Sequence, residues 1–105
     1  MFFAVIAKDH PNSFALRADT KRRHMAHLDA AAPALRVLQS GPLLDSQGGE
    51  CGSLLILEAD TQAAVEAFVS RDPYVEAGLF ASTEVRAWLW RRGNPYLAPS
   101  GPASG

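Results

Sequence analysis

The sequence contains little cysteine, little net charge and no long hydrophobic run. Cys51 is the only cysteine among 105 residues, which excludes an intramolecular disulfide and a zinc site built from several cysteines. The formal net charge is -1, so neither nucleic acid nor an anionic membrane surface is an expected partner. The first apolar run, FFAVIA at 2–7, is too short for a signal peptide or a membrane-spanning helix. We therefore expect a cytoplasmic protein with no membrane partner.

Apolar residues are nevertheless abundant enough for one small domain. They make up 48% of the chain, which is ordinary for a globular protein of this length. Residues 1–92 carry the pattern expected of that domain. Residues 93–105 are rich in Pro, Gly and Ser, so we expect a flexible tail there, in which Tyr96 and Leu97 are the candidates to dock on the domain.

Apolar periodicity predicts the element order β-α-β-β-α-β. Strands are predicted at 2–7, 34–41, 53–59 and 82–90, and helices at 14–32 and 61–70. The first helix carries an apolar stripe made of Phe14, Ala18, Met25, Leu28 and Ala32. Pro33 is expected to end it, and Asp60 and Thr61 are both candidates to cap the second helix. This order is typical of the split βαβ or ferredoxin-like α+β fold, in which two helices cover one face of a four-stranded antiparallel sheet.

The other face of the predicted sheet also carries large apolar side chains. Phe2, Trp88 and Trp90 are among them, and no predicted helix remains to cover them. A large apolar surface of this kind usually marks an interface, and twofold dimers are the commonest oligomers. We therefore predict a homodimer that packs through its sheet faces.

His24 and Asp72 are the candidate pair for acid/base chemistry. His24 lies at the border of the apolar stripe, whereas His27 points about 160° away from the stripe centre and into solvent on a helical wheel. The HxxH spacing therefore indicates no metal site, and no other cofactor motif is present. Asp72 follows the second helix, which would lie beside the first. Asp before Pro73 is also a favoured helix start, so helix capping and pairing with histidine both remain open from the residues alone.

Several segments together resemble the YciI-like family, whose members contain a YCII-related domain. They are FFAVIAKD at 2–9, Arg17, RRHMAHL at 22–28, SGPL at 40–43, GSLLILEA at 52–59 and DPYVEAGLF at 72–80. Their order and spacing fit from residue 2 to about residue 90. The resemblance implies a ferredoxin-like fold that dimerises into an α+β barrel. It also implies an active site in which His24 faces Asp72.

The sequence leaves the function open among three hypotheses. The first is a cofactor-independent lyase or isomerase that acts on a small cyclic or aromatic compound, with His24 as general acid/base and Asp72 orienting it. Arg17 would bind an anionic group of the substrate, and Phe3 and Tyr74 would line the pocket. The alternative is a non-catalytic module that binds a small ligand through the same residues. The third is a structural dimer that contacts a partner protein through residues 93–105.

Overall fold

Four strands and three helices form the part of the chain that the computed structural model describes, residues 1–31 and 34–96. The elements are β1 Phe2–Asp9, α1 Phe14–Asp29, β2 Leu35–Leu44, β3 Glu50–Ala59, α2 Gln62–Ser70, α3 Pro73–Glu76 and β4 Phe80–Trp88. The strands pair antiparallel in the order β2-β3-β1-β4. The predicted ferredoxin-like α+β fold is therefore confirmed.

The hairpin between β2 and β3 is longer than predicted. The predicted strands ended at residue 41 and resumed at residue 53, but β2 continues to Leu44 and β3 begins at Glu50. The Asp45 carboxylate closes the turn by accepting hydrogen bonds from the backbone N–H groups of Gln47 and Gly49, both at 2.9 Å. Gly48 supplies the positive φ of 82° that such a tight turn requires.

The apolar core lies between α2 and the sheet. It contains Phe3, Val5, Leu55, Leu57, Val65, Phe68 and Val69. The strand residues in this set are two apart, because alternate side chains of a strand point to the same face. Of the two predicted caps, Thr61 is the one that precedes α2, and its hydroxyl accepts a hydrogen bond from the Ala64 N–H at 3.2 Å.

α1 buries a different face from the one predicted. Its buried residues are Arg17, Thr20, His24 and Leu28, whereas Phe14 is 58% and Met25 43% exposed. The predicted stripe is therefore wrong at Phe14, Ala18 and Met25 and correct at Leu28, and Ala32 lies outside the described residues. Arg17 and His24 are buried instead because they find ionic partners inside the protein. The expected end at Pro33 lies outside the described residues, and α1 itself ends at Asp29. No helix in the described ranges is long and apolar enough to cross a membrane.

The chain after β4 folds back over the sheet face that the helices leave open. β4 ends at Trp88, not at residue 90 as predicted. The Trp90 ring stacks on Trp88 at 4.8 Å and meets the Phe2 ring edge-on at 5.5 Å. The Tyr96 hydroxyl then donates a hydrogen bond to the Leu38 carbonyl oxygen at 2.6 Å. Residues 89–96, the closing segment, therefore run from the β4 edge of the sheet to the β2 edge, and the other predicted docking residue, Leu97, lies outside the described residues.

Candidate active site

A cavity of about 190 Å³ lies between α1 and the end of the sheet where β1 finishes and β3 begins. Arg17 and His24 enter it from α1, Ser53 and Glu50 from β3, and Tyr74 from α3. A second hollow of about 240 Å³ adjoins it and shares Arg17 and Glu50 as walls. The structure thus brings three of the predicted site residues, Arg17, His24 and Tyr74, to one cavity, and the fourth, Asp72, contacts it through His24.

His24 and Asp72 form a buried pair. His24 is 6% and Asp72 2% exposed, and the His24 Nδ1 atom lies 2.8 Å from both Asp72 carboxylate oxygens. An ionised carboxylate only accepts hydrogen bonds, so we assign the ring proton to Nδ1. The neutral ring then keeps its lone pair on Nε2. That atom has no hydrogen-bond partner in the described residues and is not sealed off, so it is available on the cavity side.

Asp72 also begins the short helix α3. Its Oδ1 atom accepts a hydrogen bond from the Tyr74 N–H at 2.9 Å, and Pro73 follows as the first helical residue. Gly78, with a φ of 76°, ends this turn, and the Leu79 N–H donates to the Tyr74 carbonyl oxygen at 3.0 Å. The same carboxylate therefore caps α3 and contacts His24.

Arg17 is held by an acid that the sequence analysis did not single out. Its Nε and Nη2 atoms donate to the two Asp9 carboxylate oxygens at 2.7 and 2.8 Å, and Nη2 also donates to Ser53 Oγ at 3.0 Å. Burial lowers the pKa of Arg17, but the hydrogen bonds and charge of Asp9 outweigh it and raise the pKa overall. Arg17 is thus a permanent cation. Its remaining nitrogen, Nη1, has no partner in the described residues and is not sealed off.

Tyr74 lies against both Arg17 and His24. Its ring stacks on the His24 imidazole with centroids 4.0 Å apart and planes 17° apart. The Arg17 guanidinium carbon is 4.7 Å from the Tyr74 ring centroid, a cation–π distance. Burial raises the pKa of the Tyr74 phenol. The charge of Arg17 lowers this pKa in part, and the charge of Asp72 raises it further. The ring therefore fixes the orientation of both neighbours while staying neutral.

β-Bulges bring further side chains to this end of the sheet. The pairing of β2 with β3 shifts at Leu38 and again at Cys51, so each strand gains one residue without a direct partner. Because of the second shift, Glu50 lines the cavity together with Ser53. Pairing of β1 with β4 shifts next to Asp9. Bulges commonly re-aim side chains beside active sites, and no sequence pattern predicted these three.

Two predicted positions differ in the structure. Phe3 is fully buried in the core and is not among the cavity residues. His27 does not point into solvent as predicted, because its Nε2–H donates to the Phe68 carbonyl oxygen at 2.9 Å and its ring stacks on Phe68 at 4.2 Å. A helical wheel takes no account of neighbouring elements, and in the structure α2 covers this side of α1. In the described ranges, no three His, Cys, Asp or Glu side chains are grouped to hold a metal ion.

Proteins of known sequence resemble this chain over most of its length. An uncharacterised protein of Haemophilus influenzae is 32% identical over 92 residues, which cover 82% of this chain and 94% of that protein. Protein YciI of Escherichia coli is 30% identical over 92 residues, with the same two coverages.

Solved structures share the fold. The 5-chloro-2-hydroxyhydroquinone dehydrochlorinase of Burkholderia phenoliruptrix, in complex with 2,5-dihydroxybenzoquinone, matches with a TM-score of 0.74 and 36% identity, over 85% of this chain and 94% of that one. A cofactor-independent oxygenase of Streptomyces nogalater matches with a TM-score of 0.54 and 13% identity, over 90% of this chain and 95% of that one, a likeness of fold alone. A model of the YCII-related domain matches residues 1–89. The chain therefore belongs to the YCII-related domain family.

Proposed function

We propose that this protein is a small-molecule enzyme that uses His24 as a general acid/base. The observation that carries the proposal is the buried imidazole, whose Nδ1 is held by Asp72 at 2.8 Å while Nε2 is open to a cavity. A histidine fixed in this way presents one defined lone pair to a substrate. Asp72 would act as the positioning residue that sets the ring tautomer and stabilises the imidazolium once the proton arrives.

The reaction that fits best is an elimination or an isomerisation. Nε2 takes a proton from the substrate, and the electron pair that the proton leaves behind forms a new double bond. In an elimination the leaving group departs with its own bonding pair, and the imidazolium later releases the proton to water. In an isomerisation the imidazolium returns the proton to another atom of the same substrate. Both reactions use only a base and a positioned cation, which His24 and Arg17 supply.

The substrate class follows from the size and lining of the cavity. A cavity of roughly 150 Å³ is enough to hold benzene, so a volume of about 190 Å³ suits a single substituted ring. The structurally similar dehydrochlorinase acts on a chlorinated hydroxyhydroquinone and was solved with a dihydroxybenzoquinone. Its 36% identity supports a hydroxylated ring as the substrate here, with chloride as one candidate leaving group. Arg17 would bind an anionic group on that ring, and Tyr74 would form part of the wall.

The proposal includes a homodimer in the cytoplasm. Leu54, Trp88 and Leu89 remain 37%, 40% and 68% exposed on or beside the open sheet face, even though the closing segment covers part of it. A second copy of the chain would bury these side chains. Analytical ultracentrifugation of the wild type and of Leu54→Lys tests the dimer. We expect the charge to shift the equilibrium towards monomer, and a monomeric wild type would contradict the dimer.

The experiment that tests the function measures chloride release from 5-chloro-2-hydroxyhydroquinone and related chlorinated hydroxyquinols. We expect turnover by the wild type and a loss of roughly 10²–10⁴-fold in His24→Gln, the usual contribution of a general acid/base. His27→Gln is the matched control, because His27 lies on the same helix and faces Phe68 instead of the cavity.

Two outcomes would contradict the enzyme hypothesis. Equal losses in His24→Gln and His27→Gln would show that the histidine change acts through folding. Tight binding of these compounds by the wild type without any turnover would favour the alternative, a ligand-binding or accessory module.

A further inference from the structure

Two hollows meet at the candidate site, and the proposed function uses only one of them. The second hollow, of about 240 Å³, is the larger of the two. Phe14 and Ala18 of α1 line it without lining the first cavity, and it shares Arg17, Lys21 and Glu50 with that cavity. Because three side chains belong to both walls, a ligand whose ring lies in the first cavity can extend into the second.

Lys21 and Glu50 are the side chains of this shared wall whose charges are unused. In the described part of the chain, neither side chain makes an ion pair or a hydrogen bond. The third shared residue, Arg17, is already held by a carboxylate at 2.7 and 2.8 Å. The other polar side chains line only the first cavity, and they are His24, Ser40, Ser53 and Tyr74. A ligand that enters the second hollow therefore meets one unpaired cation and one unpaired anion.

We propose that the second hollow is a subsite for a short zwitterionic arm of the substrate, in which Glu50 binds the ammonium group and Lys21 binds the carboxylate. This inference rests on the proposed function and narrows its substrate class to aromatic amino acids with a hydroxylated ring and to compounds with the same arm. The ring lies beside His24 in the first cavity, and the arm passes Lys21 and Glu50 into the second. Both residues bind the arm and take no part in the proton transfer.

The opposite signs of the two charges select a zwitterion. A carboxylate alone would be attracted by Lys21 and repelled by Glu50, and an amine alone would meet the reverse. A zwitterion can place each of its charges beside the opposite one. The Arg17 charge does not upset this balance, because Asp9 offsets it at 2.7 Å. A phosphate arm is disfavoured by Glu50 for the same reason as a lone carboxylate.

Phe14 supplies an apolar wall for the arm. Its side chain is 58% exposed, yet the ring is placed by the hairpin between β2 and β3. A Cβ atom built on Gly49 would lie 3.1 Å from Phe14 Cε1, so the ring lies directly against the hairpin backbone, next to Glu50 in the chain. An aromatic ring in this position can cover the CH₂ group that joins the arm to the substrate ring, and burial of that group stabilises the complex.

The test compares four ligands that share the 3,4-dihydroxyphenyl ring and differ in the arm, by nuclear magnetic resonance titration of the full chain under argon. L-dihydroxyphenylalanine carries both charges, dopamine the ammonium group, 3-(3,4-dihydroxyphenyl)propionate the carboxylate, and 4-methylcatechol neither. We expect the wild type to bind the zwitterion most tightly. We also expect the amide signals of Phe14 and Ala18 to shift with the zwitterion and not with 4-methylcatechol.

Two variants separate the two charges. Glu50→Gln should weaken binding of L-dihydroxyphenylalanine and dopamine by roughly 3- to 5-fold, the effect of one partly exposed ion pair, and should not weaken binding of the propionate. Lys21→Gln should weaken the zwitterion and the propionate by a similar factor and should not weaken dopamine. Neither variant should change the affinity for 4-methylcatechol. Lys21 is exposed and Glu50 half-buried, so we expect both variants to fold.

Equal affinities of the wild type for the zwitterion and 4-methylcatechol would overturn the inference, as would the absence of binding of all four ligands. A variant that weakens all four ligands equally would also overturn it, since the side chain would then act through the ring cavity or through folding. His24-dependent chloride release with no preference for the arm would contradict this inference alone. Arm-dependent binding without His24-dependent turnover of any chlorinated ring would contradict the proposed function alone.

Phe14→Ala gives an independent measurement that leaves both charges in place. We expect it to weaken binding of L-dihydroxyphenylalanine by about 3-fold, through loss of apolar contact, and to leave 4-methylcatechol unchanged. Leu44→Ala is the matched control, because Leu44 is also well exposed, at 60%, and lines neither hollow. Equal effects of the two variants on the zwitterion would contradict a role for the second hollow.

Discussion

The layer between the helices and the sheet has two halves of opposite chemistry. Beside α2, the buried side chains are apolar, as at Leu57, Val65 and Phe68. Beside α1, the buried side chains are Arg17, Thr20 and His24, with the apolar Leu28 only near the end of the helix. Apolar burial stabilises the fold without fixing any chemical group, whereas each buried polar group needs a partner and is held in place by it. One small domain thus separates an apolar half that holds it together from a polar half that carries the proposed site.

The largest loss of stability is expected when one partner of the buried ion pair between Arg17 and Asp9 is removed. Arg17→Met leaves the Asp9 carboxylate buried without its cation, which typically costs about 3–5 kcal/mol of unfolding free energy. Urea denaturation measures this loss. The double variant Asp9→Leu with Arg17→Met is the control, because it removes both charges and should recover most of the loss. Equal destabilisation of the single and double variants would contradict a coupled pair.

A cavity created by mutation in the apolar half should lower the unfolding free energy and leave the turnover rate of the folded protein unchanged. Leu57 is completely buried, so Leu57→Ala should cost about 2–5 kcal/mol of unfolding free energy. Turnover per folded molecule should match the wild type in the chloride-release assay, because Leu57 lies outside the cavity residues. A marked fall in kcat/KM of the folded protein would show that the halves are not independent.

Asp72→Asn separates the two roles of one carboxylate. Asn caps helices about as well as Asp, so the unfolding free energy should change by less than about 1 kcal/mol. His24 loses its anionic partner, so turnover should fall about 10²-fold or more. Nitrogen-15 NMR of the His24 ring gives an independent check, since the Nδ1–H tautomer should lose its dominance. Turnover like that of the wild type would mean that Asp72 is only a cap.

The smallest effect concerns alkaline pH. The folded state raises the pKa of Tyr74, so above about pH 10, the ordinary value for tyrosine, the unfolded chain releases this proton while the folded chain keeps it. The contribution of Tyr74 to the unfolding free energy is fully present below that pH and is lost as the pH rises further. Tyr74→Phe should therefore lose less stability than the wild type between about pH 9 and about pH 11 in urea titrations. Tyr96→Phe, which removes an exposed tyrosine, should behave like the wild type.

Much of the fold was predictable, because the strands follow the rule of alternating burial. Val5 and Leu55 mark strands that the sequence placed correctly. The burial of α1 was not predictable in the same way. Its apolar residues Phe14 and Met25 are exposed, and the helix is oriented by polar contacts whose partners lie on other elements.

The site was partly predictable for a related reason. His24 and Asp72 were found through a family resemblance and the side-by-side arrangement of the helices. Asp9 was missed, although an acid that ends an apolar strand eight residues before a helix Arg is a usable signal. Glu50 depends on a bulge at Cys51, and the insertion of one unpaired residue leaves no trace in hydrophobic periodicity.

The closing segment has a practical consequence for attaching labels. The last strand, β4, lies at one edge of the sheet, so a fluorophore or a fusion partner after it would be expected to project from that edge. The Tyr96 hydroxyl is bound to the Leu38 carbonyl oxygen of β2, which is the opposite edge. A tag joined directly after Tyr96 therefore starts beside β2, and energy-transfer distances from it should be interpreted from that side of the molecule.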